Sequence, residues 1–209
     1  MAVQERVLER DLDGLRTMWV DDPNLLSGLV GLLSERDDLL RWRAIEALGV
    51  LCGEAARRDV EIARRQVRRQ IWNMSEESGN QAWSAAETIG AILYHVPELA
   101  EEYAVILVQY EEEPIFRAGA LWAMGHLAPQ HTDRLRPEAG TAAKRLEDES
   151  PRVRAPAARA VGLLHHAAAR EQLEAMVGDG AEVRLYNFET GQLDQTTVGR
   201  VAREALQSL

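Results

Sequence analysis

A chain of 209 residues, 46% hydrophobic and 28% charged, can bury a sizeable core, and that balance excludes wholesale disorder. The formal net charge of -10, with a pI near 5.1, excludes a uniformly basic footprint, so nucleic acid is not an expected partner. Cys52 is the only cysteine, which excludes an internal disulfide and a cysteine-built zinc cluster and fits a cytoplasmic location.

In chain order, residues 1–20 carry Glu5, Arg6, Glu9, Arg10, Asp11 and Asp13, unlike the apolar core of a signal peptide. Nowhere does an uncharged apolar run approach the roughly 20 residues that span a bilayer, so no membrane association is expected. Val7, Leu8, Leu12, Leu15 and Trp19 fit the stripe of one helix. Asp21-Asp22-Pro23 then reads as the cap of a second, carrying Leu25, Leu26, Leu29, Leu32 and Leu33. Together they form an N-terminal pair over 1–36.

Four later segments align on a glycine: RWRAIEALGVL on Gly49, AWSAAETIGAI on Gly90, RAGALWAMGHL on Gly125 and RAPAARAVGLL on Gly162. The glycines lie 41, 35 and 37 residues apart, the period of a two-helix unit. Each is preceded by a small and then an apolar residue, which lets neighbouring helices approach and fills the space between them. Second helices lie between. Over 59–72, Val60, Ala63, Val67 and Ile71 oppose a basic face of Arg57, Arg58, Arg64, Arg65, Arg68 and Arg69. Over 98–110 the stripe is Leu99, Tyr103, Ile106, Leu107 and Tyr110. A further pair covers 151–177, with Pro151 in a first turn after Ser150.

Residues 182–195 break the repeat: EVRLYNFETGQLDQ reads as a short hairpin around Thr190-Gly191, followed by a helix capped by Thr196 or Thr197. The expectation is an all-α chain, an α–α superhelix of about five helix pairs in one domain over 1–209. Residues 37–178 are its repeats, and 179–209 a C-terminal cap of β-hairpin plus helix.

The glycine segments resemble HEAT-like repeats of the phycobilisome-lyase type, whose mark is an Arg- and Ala-rich helix ending in apolar-Gly-x-Leu; the resemblance spans 41–165. The stretches RRQIWNMSEESGNQAWSAAETIGAIL and LAEEYAVILVQYEEEPIFRAGALWAMGHLA are also similar to an uncharacterised family of bacterial HEAT-repeat proteins. Ala86 stands where that family tends to have proline, and Ala118 interrupts its Arg-Gly step. The resemblance implies a superhelical fold and leaves function open, since such repeats serve scaffolds, adaptors, lyase subunits and DNA glycosylases.

Trp42 with Glu46 and Trp83 with Glu87 share a four-residue spacing that puts each pair on one helix face. In the later copies Trp122 and Arg159 take the glutamate position, giving a column of Glu46, Glu87, Trp122 and Arg159. Two readings stand. The tryptophans belong to the core while the glutamates pair with Arg41, Arg43 or Arg117, or the column lines a ligand groove, as Trp and Arg often do. The turn between Trp72 and Trp83 places Glu76, Glu77, Ser78 and Asn80 together, where they can cap helices or contact a ligand. The basic face either receives an anionic partner or is balanced by Glu98, Glu101, Glu102 and Glu111–Glu113, and charge alternation between repeats can drive self-association. His126 follows Trp122 by four residues, and His165 and His166 are adjacent; neither is a metal-ligand spacing, so no metal and no cofactor are expected.

The leading functional expectation is a non-enzymatic scaffold or adaptor. It would hold another protein or a peptide in a concave groove lined by the second helices and the Trp/Glu/Arg column. The alternatives are a HEAT-like lyase or cofactor chaperone using Glu and His as acid and base, a DNA glycosylase, and a structural subunit, including a homo-oligomer.

Overall fold

In the computed structural model, which describes residues 3–22, 24–75 and 83–209, the chain is mostly helical and ends in a two-stranded antiparallel hairpin and a final helix. The glycine segments lie on α4 (Asp38–Ala56), α6 (Ala85–His95), α8 (Arg117–Leu135) and α10 (Pro151–Leu163). Between them run α5 (Val60–Ser75), α7 (Pro97–Gln109), the short α9 (Ala139–Ala143) and α11 (Arg170–Met176). Each glycine helix packs on the next, α4 on α6, α6 on α8 and α8 on α10, and α12 (Val198–Ser208) completes the row against α10.

The aligned glycines explain this row. A Cβ at position 49 would stand 2.7 Å from the Ala91 carbonyl oxygen; at 90, 2.6 Å from Ala123 Cβ; and at 162, 2.6 Å from Ala205 Cα. At 125 the nearest atom, Ala160 N, is 3.5 Å away. Three of the four glycines thus let one helix backbone press on an alanine of the next. Gly162→Ala is expected to destabilise the chain by about 1–3 kcal/mol through overpacking. Gly125→Ala, with room to spare, should be neutral or gain up to about 1 kcal/mol of helix propensity. Urea unfolding of the two variants checks the contrast.

The N-terminus departs from expectation. Val7 to Trp19 do not form one helix but two, α1 (Val3–Glu9) and α2 (Leu12–Asp21), broken at Arg10, whose φ is +56°. Arg10 N–H donates to Val7 O and Asp11 N–H to Arg6 O, the pair of bonds that closes a helix on a left-handed residue. Asp11 then caps α2 by accepting from Gly14 N–H at 2.8 Å. The cap expected ahead of α3 (Leu25–Leu32) is also different: Asn24 is its N-cap without a side-chain bond, and Asp22 accepts from Asn24 N–H; Pro23 lies outside the described residues. His165 (φ +54°) ends α10 by the same device as Arg10, with His166 N–H on Val161 O.

The hairpin pairs β1 (Glu182–Asn187) with β2 (Gln192–Thr197), from Glu182 opposite Thr197 to Asn187 opposite Gln192, and Gly191 (φ +66°) completes the turn. Of the two cap candidates for α12, Thr197 accepts from Arg200 N–H. Two such strands alone are marginal in water; these lie against the row of glycine helices, with Val183 and Tyr186 buried. Among the described residues no helix is long and apolar enough to cross a membrane. Cys52 is fully buried, and burial pushes its thiol up to about 12, so it has no reactive thiolate at neutral pH.

Candidate functional site

The column Glu46, Glu87, Trp122, Arg159 runs across the side of the glycine helices that the hairpin covers. Its first member is locked. Glu46 is 3% exposed and receives Arg10 Nε at 2.9 Å, Arg10 Nη2 at 2.7 Å and the Tyr186 hydroxyl at 2.6 Å. Burial and the bond to this carboxylate both raise the Tyr186 phenol above its ordinary value. The same guanidinium donates to the carbonyl oxygens of Phe188 and Glu189, and Arg43 donates to those of Gly191 and Leu8. Glu46 therefore pairs with neither Arg41, Arg43 nor Arg117 but with a residue 36 positions earlier and another 140 later. Arg10, between α1 and α2, and Arg43, on α4, thus hold the turn of the C-terminal hairpin.

Aromatic rings fill the space beneath the strands. Tyr186 stacks on Trp42 (5.4 Å, 5°), Trp42 meets Trp122 edge-on (4.8 Å), and Trp122 stacks on His126 (4.7 Å) and Phe188 (5.7 Å). His126 also stacks on Tyr94 at 4.4 Å. Trp42 and Trp122 thus pack as an inter-helix cluster, and that cluster is also the floor of two cavities. The larger, about 810 Å³, is bounded by Tyr94, Trp122, His126 and Arg159 below and by Tyr186 and Phe188 of the hairpin. The smaller, about 380 Å³, takes in Arg41, Trp42, Glu87, Arg152 and the strand residues Glu182 and Arg184. Trp122, Leu185 and Gln195 belong to both and form the partition.

The two cavities do not lie along the second helices. Their walls are the glycine helices and the hairpin, with Arg200, Val201 and Glu204 of α12 closing the larger; no residue of α5, α7, α9 or α11 lines either cavity. The reason is the hairpin itself, which lies on the glycine-helix side and turns an open face into two recesses.

The electrostatics of the two recesses differ. His126 is buried among rings, and burial, with Arg159 and His95 adding to it, pushes its imidazole down to about 3. It is neutral at physiological pH, and its Nε2 is shielded without a hydrogen-bond partner among the described residues. Glu87, in the first turn of α6, keeps Oε2 shielded and equally unpartnered. Burial pushes this carboxyl up to about 7, against the opposing pull of its own backbone N–H and of Arg41. It packs on Gly119, where a Cβ would come within 2.4 Å of Oε2.

The remaining predicted residues lie elsewhere. Trp83 is 46% exposed and lines neither cavity. Arg117 donates to the Glu111 and Glu112 carbonyls and pairs with Asp148 at 3.2 Å, tying down the loop before α8. Glu76, Glu77, Ser78 and Asn80 lie outside the described residues. On the basic face Arg57 pairs with Glu54, Arg64 with Glu61 and Glu102, and Arg68 donates to the Tyr103 hydroxyl, while Arg65 and Arg69 have no ionic partner among the described residues. Arg58 lies over the Trp19 ring at 4.9 Å. No cluster of three or more metal-ligating side chains occurs among the described residues.

Sequence reasoning missed Arg10, Tyr94, Tyr186 and Phe188. The only signal was the Tyr-x-Phe spacing on a predicted strand, which places both rings on one face. No family model and no curated protein matches this chain.

Proposed function

We propose that the chain is a HEAT-like superhelical binding module of about five helix pairs. It acts without catalysis in the cytoplasm and holds a segment of another protein or a peptide between its glycine helices and its hairpin. The observation that carries this reading is the larger cavity, about 810 Å³ over an aromatic floor. Recesses of several hundred Å³ are common ligand sites; here the aromatic floor meets a polar and charged rim that includes Asp194, Arg200 and Glu204, and the side chains of Arg159 and Gln195, without a partner among the described residues, offer hydrogen bonds to a bound main chain. The column residues Trp122 and Arg159 are of the types that dominate binding energy.

A randomised peptide library displayed against the purified chain tests it. Selected peptides are expected to lose about tenfold or more in affinity on Phe188→Ala, as a central aromatic contact does, and to be indifferent to Arg170→Ala, an exposed residue at the start of α11 that lines neither cavity. Failure to select any peptide, or selection of peptides blind to Phe188, would count against the reading.

The lyase or cofactor-chaperone reading draws on a different observation, the Glu87 carboxyl held near neutrality in the smaller cavity, a value suited to carrying a proton. His126 does not support it, since an imidazole at about 3 is a weak base. A chromophore or other small molecule that co-purifies and is seen by native mass spectrometry would favour this alternative.

A further inference from the structure

The outer helices α5 and α7 lie side by side in a register that three contacts fix: Arg64 pairs with Glu102, Arg68 Nε donates to the Tyr103 hydroxyl at 3.2 Å, and the Ser75 and Tyr110 hydroxyls meet at 3.3 Å. The exposed stripe of α5 is basic and ends in a large ring: Arg65, Arg68, Arg69 and Trp72, the last 61% exposed. The exposed stripe of α7 is acidic and ends in an aliphatic residue: Glu98, Glu101, Glu102 and Ile106, the last 41% exposed. Along the helices the charges sit at one level and the apolar residues at the next. Arg65 and Arg69, four residues apart, repel one another with no neutralising partner among the described residues, a destabilising arrangement in a chain with ten more acids than bases. Glu98 likewise has no ion-pair partner there.

We propose that this α5/α7 face is where two copies of the chain associate, about a two-fold axis running along the helices. Such an axis exchanges the two stripes and keeps the level. The basic stripe of each copy then faces the acidic stripe of the other, and Trp72 faces Ile106, so every contact is made twice. An unrelated acidic partner would satisfy Arg65 and Arg69 but leave Glu98 and Ile106 uncovered; a second copy satisfies both stripes together. The face is opposite the hairpin, so the inference is independent of the peptide reading.

Sedimentation of the full chain from about 1 to about 100 µM is expected to show a concentration-dependent dimer. It should weaken at about 1 M salt, where the screening length is about 3 Å. Trp72→Glu is expected to raise the dissociation constant about tenfold or more, and so is Arg65→Glu with Arg69→Glu. Adding Glu98→Arg and Glu102→Arg to that reversed chain, with Arg64→Glu to keep the intrachain pair, should restore the dimer, because the stripes are again complementary. Should any reversed chain unfold, a mixture of Trp72→Cys and Ile106→Cys chains gives a second test, since Cys52 is buried: an interchain disulfide between the two variants is expected. A wild-type chain that stays monomeric throughout would overturn the proposal. So would a dimer indifferent to Trp72→Glu and to charge reversal, or one that forms no 72–106 cross-link.

Discussion

Arg10→Ala is expected to lower the unfolding free energy by about 3–5 kcal/mol, the loss typical of removing one partner of a buried ion pair. The size follows from what is stranded. Glu46 stays 3% exposed and loses two charge-assisted bonds, keeping only the Tyr186 hydroxyl. The carbonyl oxygens of Phe188 and Glu189 lose their donor as well. Replacing the whole set, Arg10→Met with Glu46→Leu and Tyr186→Phe, should cost much less, since no charge is then left buried alone. Urea unfolding of the single and triple variants separates the two. A single-variant loss below about 1 kcal/mol would mean that Glu46 reaches solvent when Arg10 is gone. Because the guanidinium holds the turn of the hairpin, hydrogen exchange should also show β1 and β2 amides opening more readily in Arg10→Ala than those of α10.

Much of the helical arrangement was legible because it rests on local pattern. The alignment on Gly49, Gly90, Gly125 and Gly162 located four helices, and three of those glycines turn out to be close-approach positions between helix backbones. The hairpin was legible too, from Val183, Leu185, Tyr186 and Phe188 leading into Thr190-Gly191. The break at Arg10 was not, because nothing in the spacing of Val7, Leu12 and Leu15 distinguishes one helix from two; the left-handed residue is held there by Glu46, far along the chain. For the same reason the two cavities were not legible. Helix spacing named Trp42, Glu87 and Trp122, but what closes over Trp42 and Trp122 is Tyr186 and Phe188, more than sixty residues beyond Trp122. Contacts of that range leave no periodic trace. Arg117, by contrast, was read as a site residue from its motif, and its neighbours six and five positions back, Glu111 and Glu112, account for it.

The smaller cavity makes the second large prediction, a dependence of stability on pH carried by one carboxyl. Burial sets Glu87 at about 7 in the folded chain, against an ordinary value of 4.5. Between these values the folded chain holds a proton that the unfolded chain has released, so unfolding sheds a proton and stability falls as pH rises. The favourable contribution is complete below pH 4.5 and is lost as pH passes through about 7. The full span corresponds to about 3 kcal/mol, an upper bound because solvent reaches part of this half-buried side chain. Glu87→Gln keeps the shape and removes the charge. It should therefore flatten this part of the pH profile and raise stability at pH 8 by as much as that span, with little change at pH 4.5. Urea midpoints of both chains across this range check the sign as well as the size. Gly119→Ala supplies an orthogonal check, since its Cβ would stand 2.4 Å from Oε2 and must push the carboxyl away from α8. If the shielded oxygen is what holds the proton, that displacement toward the cavity should weaken the pH dependence although the carboxyl itself is retained.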